Sequence, residues 1–314
     1  MILTVTLNPA LDLTYRVDAL VPHGTHRVAA VAERPGGKGL NVAAVLHALG
    51  EPVLATGLLG GATGHRVAAL LAAEGVPAAF VAIADETRRT VAVADRDDAT
   101  GFWEPGPRVT AGEWAEFVAR FRELLGQASV VALSGSLPPG VPVDGYAHLI
   151  RLAAAAGVRT VLDTSGAALR HGLAAGPDLA KPNAAELGAL LAPARAPAPV
   201  PAASAGQEMA DATVVLDHGA RAVVVSRGPR GVLALTGEGA WHGVPPERLA
   251  GNPTGAGDAC VAALSRGLRD RTPWPALLAD AVALSAAAVA APGAGAVDRD
   301  TYHRLLPAVR VSAA

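Results

Sequence analysis

Val130–Asp163 reads VVALSGSLPPGVPVDGYAHLIRLAAAAGVRTVLD, one strand–loop–helix–strand unit in a single stretch. Val130–Leu133 is a short apolar, β-rich run bounded by turn residues, and Thr160–Asp163 is a second. Between them Tyr146–Ala156 carries apolar residues at helical spacing. A strand, a crossing helix and another strand make a parallel pair. The same alternation recurs on both sides. Ile2–Leu7, Val53–Leu58 and Ala222–Ser226 read as buried strands, and Leu40–Leu49, Arg66–Glu74 and Ala111–Leu125 as helices. The expectation is an α/β fold with a mostly parallel central sheet covered by helices on both faces. Such sheets bind ligands at the carboxyl ends of their strands, so chemistry is sought in the loops that follow strands.

Two segments break the alternation. Asp12–Glu33 and Thr87–Phe102 hold β-type runs such as Thr14-Tyr15-Arg16-Val17 and Thr90-Val91-Ala92-Val93, without helical periodicity. They are expected to pair as a small accessory sheet, with outer limits of about 12–34 and 87–103. Residues 192–205, APARAPAPVPAASA, disfavour helix and strand interiors and read as an exposed loop. The 314 residues therefore form one large α/β domain with an accessory sheet, and no internal repeat is evident.

Composition narrows the function. Hydrophobic residues make up 51% and charged residues 17%, too apolar for a disordered chain. The formal charge is −2, which argues against nucleic acid as the main partner. Aromatics are only 4%, so the core is expected to be built from Ala, Val and Leu. The single cysteine, Cys260, builds neither an internal disulfide nor a zinc site, and points to a reducing compartment. The start, MILTVTLNP, lacks a cationic region and a cleavage site, and is not read as a signal peptide. Leu277–Pro292 is Ala-rich, contains Asp280 and is shorter than a membrane span of about 20 residues, so it reads as a buried helix. The nine histidines show no metal-ligand spacing.

Several Gly-rich turns open onto helices, where unsatisfied N–H groups and the helix dipole favour anions. Pro35-Gly36-Gly37-Lys38-Gly39-Leu40-Asn41 is one, and Asn252-Pro253-Thr254-Gly255-Ala256-Gly257-Asp258 another. Ser226-Arg227-Gly228-Pro229-Arg230-Gly231 follows a strand, and Gly60-Gly61-Ala62-Thr63-Gly64 loosely resembles a dinucleotide fingerprint. None is a Walker-type loop. Taken singly, each is also a tight turn. Asp258 adds a carboxylate in the first turn of a helix, where a phosphoryl group would sit. It is either a simple first-turn acid or the base of a phosphoryl transfer, which needs donors for developing charge and a base for the attacking hydroxyl.

With these loops in view, the chain resembles the ribokinase-like (PfkB) sugar kinases. TGAGD at Thr254–Asp258 and GGKGLNVA at Gly36–Ala43 carry the resemblance, with NPALD at Asn8–Asp12, SGSLPPG at Ser134–Gly140, LDTSG at Leu162–Gly166, KPNAAE at Lys181–Glu186 and SRGPRG at Ser226–Gly231. They occur in family order over nearly the whole chain. The combination resembles the phosphofructokinase branch, 1-phosphofructokinase and tagatose-6-phosphate kinase above all. Lys38 is similar to these two more than to the minor 6-phosphofructokinase, which usually carries Gly there.

The resemblance implies a ribokinase-like three-layer sandwich with a small β-sheet lid. It implies ATP and Mg²⁺, with Asp258 as base and the N–H groups of Gly255, Ala256 and Gly257 as an anion hole. For the acceptor it implies Asp12, Gly37, Asn41 and Ser136, with Lys38 and Arg88 for its phosphate. Arg89 stays undecided, and Arg88 and Arg89 are alternatively a solvated pair. For the nucleotide it implies Lys181, Asn183, Ser226, Gly228, Gly231 and Thr254. Asn183 and Glu186, three apart, are implied to orient magnesium; their plain alternative is a helix start after Pro182. Asp163 is read as support for the metal or as a turn residue, and Cys260 as helix packing. Thr25 departs from the basic residue often found there, which His26 and Arg27 could replace.

The reaction implied is ATP-dependent phosphorylation of fructose 1-phosphate or tagatose 6-phosphate to a bisphosphate. The alternatives are a kinase for fructose 6-phosphate, for an unphosphorylated sugar or for a nucleoside, and a non-catalytic sugar-phosphate sensor. A cytoplasmic homodimer pairing through the lid is expected, without nucleic acid or membrane.

Overall fold

The computed structural model describes residues 1–96, 98–191 and 205–314. From the N-terminus run β1 (Ile2–Thr6), β2 (Ala10–Arg16), β3 (Ala30–Gly36), α1 (Lys38–Ala48), β4 (Val53–Gly60) and α2 (Gly61–Ala73). Then come β5 (Val81–Ile83), β6 (Arg88–Ala94), β7 (Ala99–Trp103), α3 (Ala111–Leu125), β8 (Val130–Ser134), α4 (Gly145–Ala155) and β9 (Arg159–Asp163). The rest is α5 (Gly166–Leu173), β10 (Leu179–Ala180), α6 (Ala184–Leu191), α7 (Ala205–Asp217), β11 (Ala222–Ser226), β12 (Val232–Thr236), β13 (Gly239–Val244), α8 (Ala256–Asp270), α9 (Trp274–Ala290), α10 (Arg299–Leu305) and β14 (Arg310–Ala313).

One sheet has the order β14-β13-β12-β11-β10-β9-β8-β1-β4-β5. It is parallel from β11 to β5, and β11–β14 pair antiparallel at the other edge. β1 lies between β4 and β8, where the chain's strand order reverses, the place at which α/β sheets open a binding crevice. Alternation within each strand makes three layers. Ile2, Val130, Ala132, Val161 and Val224 face one core, against Leu40, Leu46, Leu264, Leu277 and Leu284 of α1, α8 and α9. Leu3, Val5, Val131, Leu133, Leu162 and Val225 face the other, against Phe117, Phe121, Tyr146 and Leu187 of α3, α4 and α6. Phe117, Phe121 and Tyr146, the largest fully buried side chains, lie on the second face, while the buried part of the first is built largely from Ala, Val and Leu as expected. Leu277–Pro292 is largely the buried helix α9, and no helix of the described residues is long and apolar enough to cross a membrane.

β3-β2-β6-β7 form a separate four-stranded sheet. β2 pairs antiparallel with β3 and parallel with β6, which pairs antiparallel with β7. The accessory strands thus match expectation, except that β2 begins at Ala10 and carries Asp12 inside it. The dinucleotide-like Gly60–Gly64 turn has a different role. β4 runs directly into α2, and the N–H groups of Ala62 and Thr63 donate to the Glu86 carboxylate at 3.2 and 2.5 Å. A protein carboxylate therefore holds that helix start, which is where a nucleotide phosphate would have to bind. The expected exposed loop, 192–205, lies outside the described residues except for Ala205, which opens α7.

Candidate active site

The parallel strands end along one edge, and the N-termini of α1 and α8 arrive there. Gly255, the cap of α8, has φ 89°, and a Cβ on it would stand 2.7 Å from Ala294 Cα. Both facts demand glycine. Of the three N–H groups expected as an anion hole, that of Ala256 donates to the Pro253 carbonyl at 3.2 Å. Asp258 follows in the first turn, 7% exposed. Asn41 of α1 donates from Nδ2 to Asp258 Oδ2 at 2.7 Å. Burial pushes the Asp258 carboxyl up to about 7, and the charge of Asp163 pushes the same way. The Asn41 bond, Lys38 and Lys181 oppose the rise. The result is a buried carboxylate that changes protonation near neutrality, as a general base requires.

Behind it lies an ionic cluster. Asp163, at the end of β9 and 1% exposed, receives Lys38 Nζ at 3.2 Å and Lys181 Nζ at 3.4 Å on Oδ1. Lys38 also reaches Glu186 Oε1 at 3.4 Å. Burial disfavours the Lys38 charge, but Asp163, Glu186 and Asp258 outweigh it and hold the ammonium above the usual range. Lys181 is raised against burial in the same way, chiefly by Asp163. Lys181 Nζ lies 3.6 Å from where a Cβ on Gly257 would stand, so it borders the α8 turn.

Asn183 stands just before α6, not within it. Its Oδ1 accepts from the Glu186 N–H at 2.8 Å, and its own N–H donates to Glu186 Oε2 at 2.9 Å. This is a reciprocal cap of the helix start. Glu186 Oε1 faces Lys38, and Asp163 Oδ2 is buried with no hydrogen-bond partner among the described residues. The free Asp163 oxygen, on a carboxylate that shares Lys38 with Glu186, suits contact with a hydrated divalent cation through its waters, while no group of three or more His, Cys, Asp or Glu among the described residues is placed to hold a bare ion.

Asp12 and Arg88, two of the residues expected to meet the acceptor, lie on the small sheet. Asp12 is half-buried; burial raises its carboxyl, while a hydrogen bond with Thr90 and the charges of Arg34 and Arg88 lower it. Arg88 donates from Nε to the Asn8 carbonyl at 3.2 Å and from Nη1 to the Glu104 carbonyl at 3.3 Å. Arg89 points the other way: its N–H donates to Glu104 Oε2 at 2.7 Å, and its side chain is exposed. Ser136 accepts from Asn8 Nδ2 at 3.1 Å. Gly37 caps α1, placing Lys38 and Asn41 in its first turns. His26 accepts from the Val21 N–H at 2.8 Å within its own turn, and Thr25 and Arg27 are exposed.

On the third side, Ser226 ends β11 and bridges to Asn183, its N–H donating to the Pro182 carbonyl at 3.1 Å. Gly228 opens a single 3-10 turn and Gly231 closes it. The Thr254 N–H donates to Asn252 Oδ1 at 3.0 Å. Asp258, Asn41, Lys38, Lys181, Asn183 and Glu186 thus form one connected group. Asp12 and Arg88 form a second, and Ser136 reaches Arg88 only through Asn8. Ser226, Gly228 and Gly231 join the first group through Asn183, while among the described residues the Thr254 N–H is spent on Asn252.

Sequence reading missed Asn8 and Thr90, although Asn8 lies inside the quoted NPALD motif. It also missed Arg34 and the buried pair of Arg227 with Glu208 at 3.3 Å, which braces the Gly228–Arg230 turn. Tyr146, whose hydroxyl donates to the Ser134 and Gly135 carbonyls at 3.1 Å, props the loop holding Ser136. Cys260 is fully buried in α8 and its thiol is pushed up to about 11, which leaves it as packing.

Known proteins share this architecture. Crystal structures of phosphofructokinase-2 from Escherichia coli, with potassium and with fructose-6-phosphate, are 32% identical to this chain. They superpose with TM-scores of 0.89 and 0.86, covering 98% of both chains. The "Possible 1-phosphofructokinase" of Thermotoga maritima is 26% identical, with a TM-score of 0.86 over 100% of this chain and 99% of its own. Ribokinase from Arabidopsis thaliana, 20% identical, shares the fold with a TM-score of 0.77 over 97% of this chain and 98% of that one. Residues 5–301 match the pfkB family carbohydrate kinases, and it is to this family of kinases that the chain belongs.

Proposed function

We propose that this kinase transfers the γ-phosphoryl of ATP to a primary hydroxyl of a phosphorylated ketohexose, giving a bisphosphate. The observation that carries the reading is Asp258, a buried carboxylate poised near pH 7 at the N-terminus of α8. Asp258 takes the hydroxyl proton as the sugar oxygen bonds to the γ-phosphorus. The bond from that phosphorus to its bridging oxygen breaks, and ADP leaves with the electron pair. The Gly255–Gly257 turn and Lys181 receive the charge of the phosphoryl in transit, and Asn41 keeps the base oriented. Asp12 and Asn41 accept and donate to sugar hydroxyls, and Arg88 with Ser136 takes the substrate's own phosphate. Lys38, within reach of Asp163 and Glu186, serves the side of the transferring phosphoryl in this reading. Ser226, Gly228, Gly231 and Thr254 border the nucleotide. Asp163, Asn183 and Glu186 would hold Mg²⁺ through its waters, and the ion would neutralise phosphate charge.

Fructose 1-phosphate and tagatose 6-phosphate are the favoured acceptors. Fructose 6-phosphate is the second reading, favoured by the 32% identity to phosphofructokinase-2. The small sheet, joined to the main domain where β2 follows β1 and where β3 runs into α1, would act as a lid that excludes water. Val31, Phe102 and Trp103 lie exposed on it, and would be covered if two copies paired through their lids. The test is an ADP-release assay with the three phosphosugars, fructose and ribose. Turnover of a phosphoketohexose is expected. Turnover of ribose alone would move the activity to an unphosphorylated sugar, and turnover of none would leave a sensor.

A further inference from the structure

The small sheet has two unlike faces. Alternation along its strands sends Leu11, Leu13 and Glu33 to one side. Leu11 is buried there, Leu13 packs on the core, and Glu33 pairs with Arg66 of α2 at 2.7 Å. The opposite side carries Asp12, Arg34, Arg88 and Thr90. The register sets Asp12 against Arg34 on β3 and against Thr90 on β6, with Arg88 two residues along. This row therefore faces away from α2, on the side where Asp12 and Arg88 meet the acceptor.

Within the row Arg34 stands apart. Arg88 spends Nε and Nη1 on the carbonyls of Asn8 and Glu104. The Arg34 guanidinium makes no hydrogen bond and no ion pair within 4.0 Å among the described residues; its charged neighbour is Asp12. It is half-buried, and it reaches across to the main domain. Its Nη1 occupies the place that a Cβ on Gly293 would need, and its Nη2 lies 3.3 Å from where a Cβ on Gly295 would stand. Asn41 Oδ1 lies 3.2 Å from that same point. Asn41 is the residue that holds Asp258. Next to Gly295, Ala294 is the residue against which Gly255 packs. Arg34 thus bridges the acceptor face of the small sheet to the rim of the Asp258 turn.

The charges decide what such a group takes. Arg34 and Arg88 flank a single carboxylate within the row, Asp12; Glu104, whose charge also acts on Arg88, is paired with Arg89, so the row carries one cation in excess. A neutral sugar would leave that charge unmatched, whereas a phosphoryl group meets it. The planar guanidinium, with unspent donors, is suited to two parallel bonds with phosphate oxygens. We infer that Arg34 is a phosphoryl-binding residue of the acceptor cleft, delivered by the small sheet to the edge of the catalytic turn. The phosphoryl is either the acceptor's own phosphate or the group in transit. The inference rests on the kinase reading above.

The test compares Arg34→Ala and Arg34→Lys with the wild type. Each is assayed on the phosphoketohexose that the wild type turns over and on its unphosphorylated ketose. Each is also tested for thermal protection by the phosphosugar without nucleotide. If Arg34 binds the acceptor's own phosphate, Arg34→Ala raises KM for the phosphosugar about 10- to 100-fold, the factor for one charge-assisted contact. Protection is then lost, while the rate on the ketose falls far less than the rate on the phosphosugar. If Arg34 binds the phosphoryl in transit, kcat falls about 10²- to 10³-fold on both acceptors and protection is kept. In either case Arg34→Lys recovers only part of the loss, because it restores charge without the planar fork. Kinetics within about twofold of wild type would overturn the inference. So would a lower melting temperature with kcat and KM unmoved, since that marks a purely structural bridge. If the wild type phosphorylates none of the sugars, the kinase reading has failed separately, and protection by the phosphosugars alone decides: protection lost in Arg34→Ala supports the inference, and protection absent from the wild type or kept in the variant refutes it.

Discussion

Asp258 and Asp12 are two carboxylates of one cleft, both raised by burial, and their surroundings give them opposite tasks. Asp258 sits in the rigid main domain, nearly enclosed, with the like charge of Asp163 behind it. Its protonation changes near pH 7, where it can accept and return a proton. Asp12 sits on the small sheet between Arg34 and Arg88, with Thr90 bonded to it, and these hold down what burial raises. Its carboxyl still lies above the usual carboxylate range, with burial the larger influence and the two arginines and Thr90 opposing it. In the proposed reading the chemistry belongs to the main domain, which carries Asp258, and recognition to the small sheet, which carries Asp12. Deep burial with a like charge behind it raises Asp258 to about 7, while at Asp12 two arginines work against burial.

The most damaging change should be Asp258→Asn. It keeps the shape and the Asn41 partner of the side chain and removes its capacity to take a proton, together with the charge that Lys38 and Lys181 meet. We expect kcat to fall about 10²- to 10⁴-fold, the usual span for a lost general base. Nucleotide affinity, measured by calorimetry, should be unchanged, and so should the melting temperature. A rate near wild type would remove Asp258 from the role of base and collapse the contrast with Asp12.

Arg88→Ala comes next, with KM for the phosphosugar rising about 10- to 100-fold at nearly constant kcat. Arg89→Ala, one residue along on the opposite face and paired with Glu104, is the control. It should leave KM within about twofold, as surface pairs contribute little. Equal effects from the two would mean that the faces of the small sheet are not distinguished. Asp12→Asn should act on KM for phosphorylated and unphosphorylated acceptors alike, by about tenfold, because it loses acceptor strength toward hydroxyls.

The main domain was legible because its strands are continuous apolar runs separated by amphipathic helices, as in Val130–Asp163. The Gly255–Asp258 turn was legible because a helix start, small residues and a carboxylate coincide in four positions. What was not legible depends on contacts between distant segments. Nothing in GGKGLN tells that Lys38 would meet Asp163, 125 positions away, before any phosphate. Asn183 and Glu186 were expected either to orient magnesium or to open a helix after Pro182; Asn183 stands just outside that helix and the two cap its start reciprocally. Arg34 was passed over because it precedes Pro35 in an apparently plain stretch. Its significance comes from register, which sets it opposite Asp12. The two-residue period of the strands was the available signal. Had Asp12, Arg34 and Thr90 been placed on one face, the arginine would have been noticed.

The smallest expected effect tests how finely the base is tuned. Asn41→Ala removes the Nδ2 donor 2.7 Å from Asp258 Oδ2. That bond favours the ionised carboxylate, as do Lys38 and Lys181, while burial and Asp163 favour the protonated one. Without the donor the balance moves further toward the protonated form, so the Asp258 carboxyl rises above about 7. The active form is the ionised one, so rate climbs with pH until Asp258 has lost its proton. The climb should therefore shift to higher pH in the variant. At pH 6 kcat should drop several-fold relative to wild type, and at pH 9 the two should converge within about twofold. A uniform loss at every pH would show that Asn41 acts on the sugar or on the position of α8, and not on the proton affinity of the base. An equal shift in Asp12→Asn would mean that the limb reports the acceptor group, and the division of labour between the two carboxylates would then have to be redrawn.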